Sequence, residues 1–361
     1  MTVHTNVSEA AASAPAYTWF RRLAFLGACL ALIVIVLGAW VRLSAAGLGC
    51  PDWPGCYGHL TVQSAARNID AITSAFPERP FEYAKAHKEM VHRYFASTLG
   101  LIILVIAGIA IANRKDPAQP VALPIALVAL VIFQGLLGMW TVTLLLKPLI
   151  VVLHLLGGLS TLALLAWLAY RPRIATATAP ASPESIDRAK GLRNLAFTGL
   201  AVLILQITLG GWTSSNYAAL ACPDFPRCQN AWWPEMDAAD AFVLWRGLGI
   251  DYEGGVLQHP ARVAIHFTHR LGAIAAALVL GVLAVLAWRR SDQRSIRIGA
   301  LVLGLLLILQ LVLGPLMVMR GLPLALATAH NGVAALLVIA SLRLAKACAA
   351  DVRARSVRLG T

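Results

Sequence analysis

The chain has 361 residues, of which 59% are hydrophobic and 13% charged, and its mean hydropathy is +0.72. Soluble domains carry roughly a quarter charged residues, so this composition excludes a soluble globular protein and indicates one solvated largely by lipid. The net charge of +13 does not indicate nucleic-acid binding, because the basic residues are distributed as a membrane topology requires.

Eight windows lack Asp, Glu, Lys and Arg, and each can hold the roughly 20 apolar residues that a membrane-spanning helix needs. They are 23–41, 94–113, 117–146, 148–170, 194–223, 271–288, 298–319 and 321–342, numbered here as spans 1 to 8. Because backbone polar groups cannot face lipid unpaired, runs this apolar predict helices. The predicted fold class is therefore all-α integral membrane, with eight transmembrane helices.

The charge distribution predicts the orientation of these spans. With the N-terminus in the cytoplasm, the inner segments hold 18 of the 30 Lys and Arg residues and 6 of the 17 acidic ones, which is the positive-inside pattern. The first 19 residues show no clear cleavable signal, so span 1 is expected to be retained. We expect a multi-pass protein of the bacterial inner (cell) membrane, with cytoplasmic termini and periplasmic loops after spans 1 and 5.

The loop after span 1 contains CPDWPGC at residues 50–56, and the loop after span 5 contains CPDFPRC at residues 222–228. Disulfides persist on the oxidising side of the membrane, and the prolines between the cysteines favour a tight turn. A disulfide in each loop, Cys50–Cys56 and Cys222–Cys228, is the favoured interpretation. A zinc site formed by all four cysteines is the alternative, although the five-residue spacing is wide for zinc.

Spans 2 and 4 carry His92 and His154 near their outer ends. Each histidine lies roughly one to two turns from the start of its helix. Two imidazoles at matched depth on two helices of one bundle suit the axial ligation of a planar iron porphyrin. The alternative is a pair of core histidines bonded to backbone carbonyls, but ionisable groups inside spans are usually functional.

The landmarks of the first half recur in the same order in the second half. LGAWVRLSAAGLGCPDWPGC (37–56) matches LGGWTSSNYAALACPDFPRC (209–228), and the counterparts of His92 and His154 are His269 and His330. Four spans in each half insert both halves in the same sense. The prediction is two parallel, pseudo-symmetric four-helix bundles, with domains 1–180 and 181–361 joined by a linker around 171–192.

The two halves differ three residues before the first histidine. Glu89 precedes His92, whereas His266 precedes His269. A carboxylate beside a cofactor pocket can move protons, so the difference suggests chemistry in the first half and an electron-accepting cofactor in the second. The alternative is that Glu89 only pairs with Lys85, Lys88 or Arg93.

An arginine directly follows the first histidine of each half, Arg93 in the first and Arg270 in the second. Both are candidates for binding heme propionates, since a guanidinium binds a carboxylate through two hydrogen bonds. The alternative is that they extend to the lipid head groups.

These features together resemble the heme A synthase family. The resemblance runs from about residue 20 to 346 and is carried by the eight spans in two halves, GLGCPDWPGC at 47–56, Glu-x-x-His in span 2, and the histidines of spans 4, 6 and 8. It implies an enzyme that oxidises a methyl group of heme O to a formyl group by successive hydroxylations, giving heme A for terminal cytochrome oxidases.

The resemblance also implies the role of each site residue. His92 and His154 would hold the substrate heme O with Glu89 as the catalytic carboxylate, and His269 and His330 would ligate a heme b cofactor. Cys50–Cys56 and Cys222–Cys228 would be loop disulfides, the first near the substrate. The implied partners are membrane lipid, heme O synthase, oxidase assembly factors and an electron acceptor.

Two other classes of function remain as alternatives. A two-heme membrane cytochrome b without substrate chemistry would have histidines near both membrane faces, whereas all four here are expected at the outer side. A transporter would fit the parallel repeat but would leave the histidines unexplained.

Overall fold

The computed structural model describes residues 15–117, 119–170 and 182–359. Within these ranges the chain forms eleven α-helices and no strand: α1 Pro15–Leu43, α2 Val62–Ala66, α3 Ile69–Ala75, α4 Tyr83–Ala112, α5 Ala122–Thr143, α6 Pro148–Ala169, α7 Pro183–Ser215, α8 Ala238–Ala241, α9 His259–Arg290, α10 Arg294–Met319 and α11 Leu324–Leu359. Eight of them are long and apolar enough to cross a membrane. The predicted all-α, multi-pass membrane class is confirmed.

The described residues form two compact units. The first contains the described chain up to Tyr170 together with Trp245–Glu253. In this unit α1 packs against α4 and α6, and α5 packs against the same two helices, which closes a ring of four. Its buried apolar side chains include Phe20, Ile103, Ile106, Leu127 and Leu162.

The second unit contains the described residues from Ser182 to Leu244 and from Gly254 onward. Here α7 packs against α9 and α11, and α10 packs against the same two helices. Its interior includes Ile265, Leu280, Leu283, Ile296 and Leu303. The order of helix contacts is the same as in the first unit, as the repeated sequence predicts.

The predicted linker around 171–192 is partly wrong. Residues 171–181, including the predicted domain boundary, lie outside the described residues, but Pro183 onward belongs to α7. Ser182 and Ser185 form a reciprocal capping box at the start of this helix, and Pro183 occupies its first turn, a favoured place for proline. Ile186 and Ala189 are buried, so a charged sequence here forms an amphipathic extension of span 5.

A tight reversal connects α5 to α6, and the same reversal connects α10 to α11. Leu145 and Leu146 have φ of 52° and 59°, and Gly321 and Leu322 have φ of 70° and 65°. In both turns the second of these residues donates its N–H to the carbonyl five residues earlier, at 2.8 and 2.7 Å. The reversals place His154 and His330 at equivalent positions in the helices that follow.

Candidate active site

Both cysteine pairs lie at disulfide distance. The sulfurs of Cys50 and Cys56 are 2.04 Å apart with their Cα atoms 4.8 Å apart, and the corresponding distances for Cys222 and Cys228 are 1.93 and 4.7 Å. These cysteines are therefore not available as thiolate ligands. Within the described ranges no group of three or more His, Cys, Asp or Glu side chains could hold a metal ion, which leaves the zinc alternative without support.

Each disulfide loop is folded around an aspartate. Asp52 accepts from the N–H groups of Tyr57 and Gly58 at 2.5 and 2.7 Å. Asp224 accepts from those of Gln229 and Asn230 at 2.8 and 3.0 Å. These bonds close the loop over its own backbone, which accounts for the repeated Cys-Pro-Asp sequence.

The first loop is anchored to the chain ahead of α4 by Tyr57. Its hydroxyl lies 3.2 Å from the carbonyl of Arg79 and 3.1 Å from that of Pro80, and its ring meets those of Phe76 and Phe81 edge-on. Burial, with a smaller contribution from the carboxylate of Glu82, raises the pKa of Tyr57. The phenol therefore stays neutral and donates to these carbonyls.

Glu89 lies in α4 directly beneath the first disulfide loop, with only 5% of its surface exposed. Its Oε2 accepts from the N–H of Cys50 at 3.0 Å, and its Oε1 accepts from the guanidinium of Arg93 at 2.5 Å. Lys85 pairs instead with Glu82. The carboxylate is therefore held at two points, in a site from which most water is excluded.

The close approach of the loop to α4 depends on Gly49. A Cβ at this position would lie 2.6 Å from the backbone carbon of Lys85, closer than real Cβ contacts allow. The corresponding residue of the second half is Ala221. The first loop thus lies directly on the helix backbone beside Glu89, in a way that the second loop does not require.

Arg93 and Arg270 both join a disulfide loop to a helix. Besides Glu89, Arg93 donates to the carbonyls of Asp52, Pro54 and Gly55. Arg270 donates to the carbonyls of Arg227 and Cys222 at 2.8 and 2.7 Å. These contacts are made to the loops; the propionate role remains a prediction.

In the second half His266 occupies the place of Glu89, with 4% of its surface exposed. The N–H of Cys222 lies 3.3 Å from its Nδ1, and Nε of Arg270 lies 3.3 Å from its Nε2. A neutral imidazole accepts at only one nitrogen, whereas a carboxylate accepts several hydrogen bonds at once. The junction is conserved in geometry between the halves but differs in chemistry.

Each of the four predicted iron ligands lies against a glycine of the neighbouring helix. A Cβ added to the glycine would lie 3.0 Å from Cε1 of the ring for Gly38 and His92, 3.5 Å for Gly138 and His154, 3.1 Å for Gly210 and His269, and 3.5 Å for Gly314 and His330. The repeated Leu-Gly of spans 1, 3, 5 and 7 was the signal for these contacts.

The two predicted iron ligands of each unit interact electrostatically. His154 lies within electrostatic range of His92, and His269 lies within range of His330. Nδ1 of His92, His154 and His330 is buried without a hydrogen-bond partner. Buried polar atoms almost always have a partner, so these unsatisfied nitrogens fit a site whose ligand is an iron porphyrin.

Glutamines that sequence reasoning missed also surround the histidines. Nε2 of Gln206 lies 3.0 Å from Nδ1 of His269, and Nε2 of Gln310 lies 3.1 Å from Nε2 of His330. Polar partners of this kind orient metal-binding imidazoles. Gln134, the counterpart of Gln310, packs instead against Gly157, leaving no room for a Cβ there.

Comparison with known proteins identifies the relatives of this chain. Residues 21–342 match the model of the COX15-CtaA family, described as cytochrome oxidase assembly proteins. The chain belongs to this family. The match covers most of both units and all the candidate site residues discussed above, and it confirms the relationship that the sequence motifs indicated.

Proteins named heme A synthase are among the relatives of this COX15-CtaA family member. The one from Shewanella oneidensis is 46% identical over 324 residues, covering 89% of this chain and 93% of that protein. Those from Halalkalibacterium halodurans and Caulobacter vibrioides are each 26% identical, covering 83% and 91% of this chain and 87% and 95% of their own lengths.

Proposed function

We propose that this protein is a heme A synthase, an oxidoreductase that converts a methyl group of heme O to the formyl group of heme A for terminal cytochrome oxidases. The observation that carries the proposal is the 46% identity to a heme A synthase over nearly the whole length of both chains. The two histidine pairs and the buried Glu89 provide chemically suitable groups for this activity.

In this proposal the first unit binds the substrate. His92 and His154 ligate the iron of heme O, and the glycines beside them give their imidazole rings room against the neighbouring helices. Ligation by two residues fixes the porphyrin, and fixed geometry lowers the barrier to a reaction at one of its edges. The apolar tail of heme O is compatible with the lipid that surrounds the helices.

Glu89 is the proposed proton acceptor. Each hydroxylation takes oxygen from water, removes two electrons and two protons, and forms one C–O bond. The first hydroxylation gives an alcohol and the second a geminal diol, which loses water to give the formyl group. A carboxylate held by Cys50 and Arg93 can take the proton of the attacking water. An electron acceptor of the membrane takes the electrons.

The second unit is the proposed cofactor site. His269 and His330 would hold heme b, which, when bound, supplies one-electron transfer. Gln206 and Gln310 contact the two imidazoles and would orient them. His266 occupies the position of Glu89, so this half has no carboxylate there.

The proposed location is the bacterial cell membrane, with cytoplasmic termini and both disulfide loops in the periplasm. The basic inner segments support this orientation, and the disulfides suit an oxidising compartment. Heme O synthase and oxidase assembly factors are the proposed protein partners, because one supplies the substrate and the others receive the product.

The test is expression in a bacterium that makes heme O but no heme A, followed by extraction and mass spectrometry of the pigments. We expect heme A, and its absence from membranes that contain the protein and heme O would contradict the proposal. Unchanged heme O together with a reversible two-heme redox spectrum would instead support an electron-transfer cytochrome.

A further inference from the structure

A short segment of the second outer loop belongs to the first unit. Residues 245–253, here called the strap, follow α8 in the C-terminal half of the sequence but group with the first unit by their contacts. The strap contains two glycines with positive φ, Gly247 at 89° and Gly249 at 77°, which permit its tight path. None of the roles discussed above involves this segment.

The strap surrounds Lys147, the residue immediately before α6. Lys147 is only 2% exposed. Its ammonium lies 3.5 Å from the centre of the Trp245 ring and 6.0 Å from that of Tyr252, and it donates a hydrogen bond to the carbonyl of Gly247. A buried cation needs such partners, so the strap supplies the environment that allows Lys147 to lie there.

The strap also bonds to the reversal between α5 and α6. The N–H of Tyr252 donates to the carbonyl of Leu145 at 3.1 Å. The Tyr252 ring, 2% exposed, packs in a cluster with Leu48, Val142 and Leu146. At the far end of the strap, Arg79 pairs with Asp251 and Glu253 at 2.6 and 3.1 Å.

The equivalent turn of the second half shows why this contact matters. Leu145 and its counterpart Gly321 both have positive φ. A side chain disfavours this conformation, whereas glycine adopts it freely. The first half therefore has a disfavoured residue in a turn to which the strap bonds, and the second half has a glycine.

We propose that the strap is a positioning element of the substrate half. It holds the disfavoured turn at Leu145 and the buried Lys147, and thereby fixes the start of α6 and the position of His154 two turns later. This inference rests on the proposed function in one respect, the assignment of His154 to heme O. The heme b site does not depend on the strap.

The first experiment measures hydrogen exchange of the full-length protein in lipid nanodiscs. Trp245→Ala removes the aromatic face from Lys147, and we expect the amides of residues 144–150 to exchange roughly tenfold faster. Trp232→Ala is the matched control, because Trp232 is 67% exposed on the same loop but outside the strap. Its exchange should match the wild type.

The second experiment tests the turn itself by adding Leu145→Gly to Trp245→Ala. Glycine removes the conformational penalty as Gly321 does in the second half, so exchange at 144–150 should return most of the way to the wild-type rate. Leu322→Gly, added to Trp245→Ala, is the control and should not slow exchange there. Failure of the rescue would overturn the proposal that the strap acts through the turn.

Enzyme kinetics complete the test. Trp245→Ala should raise the KM for heme O several-fold with a smaller effect on kcat, and should leave the heme b content unchanged. If Trp245→Ala shows the same hydrogen exchange at residues 144–150 and the same KM for heme O as the wild type, the inference is overturned. If the wild-type protein makes no heme A but the exchange experiments give the expected results, the proposed function is contradicted. The inference that the strap holds the turn still stands in that case.

Discussion

The two disulfide loops share one frame but place different side chains at its centre. In the first half the loop N–H and an arginine meet the carboxylate of Glu89; in the second they meet the imidazole of His266. The lesson is that a duplicated scaffold can retain a loop–helix junction while changing its chemistry at one residue. The carboxylate of the first junction can accept a proton and still accept hydrogen bonds, whereas a neutral imidazole that takes up a proton has no acceptor nitrogen left.

The substitution that breaks this comparison most strongly is Glu89→Gln. The amide keeps the size of the side chain but is a very poor base, so we expect heme A formation to fall by about 10²–10⁴-fold while heme O still binds. Pigment extraction and the spectrum of the bound heme measure the two effects. His266→Gln is the matched control and should retain most of the activity; equal losses in both variants would show that the junctions do not differ in function.

Gly38→Ala and Gly210→Ala test the histidine pockets of the two halves separately. Each new Cβ would lie 3.0–3.1 Å from Cε1 of the neighbouring histidine, and overpacking of this kind costs about 1–3 kcal/mol. Gly38→Ala should weaken heme O binding, and Gly210→Ala should lower the heme b content. Optical titration measures heme O binding, and pigment analysis measures the heme b content.

Gly138→Ala serves as the milder control for that pair, since its Cβ would lie at an ordinary 3.5 Å from His154. An effect of Gly38→Ala on heme b rather than on heme O would reverse the assignment of the two halves.

Removing each disulfide should separate stability from chemistry. The double substitution Cys50→Ser with Cys56→Ser, or Cys222→Ser with Cys228→Ser, should lower the free energy of unfolding by about 2 kcal/mol, because each ring is small. Only the loss of the first disulfide should also reduce heme A formation, because that disulfide holds the loop whose Cys50 N–H bonds to Glu89. Thermal unfolding and pigment assays are the measurements, and equal activity losses would contradict the distinction.

The smallest expected effect is that of His266→Glu, which gives the second junction the chemistry of the first. A carboxylate can accept from both Cys222 and Arg270, so we expect the second loop to be stabilised by about 1 kcal/mol or less. Heme A formation should not rise, because the second unit is the proposed cofactor site. A lower unfolding temperature would show that His266 already satisfies this junction.

Much of the architecture could be predicted because lipid imposes strict rules on a chain. Long uncharged windows must be helices, and repeated landmarks must occupy repeated positions, so the eight helices and the cysteine pairs followed from residue patterns. The inner end of α7 did not, because residues 183–192 are charged and rich enough in polar groups to look like a linker. The capping box at Ser182 and the burial of Ile186 make that stretch helical.

Contacts between distant parts of the chain could not be predicted in this way. The amino-acid sequence by itself determined the membrane class, the duplication, the paired histidines and the single carboxylate, since each depends on local composition or on internal repetition. Only the tertiary structure decided that Gly38 faces His92, that Glu89 lies under Cys50, and that the strap encloses Lys147. The physical reason is that these contacts join residues many positions apart, and such pairings depend on how side chains pack in three dimensions rather than on any local pattern.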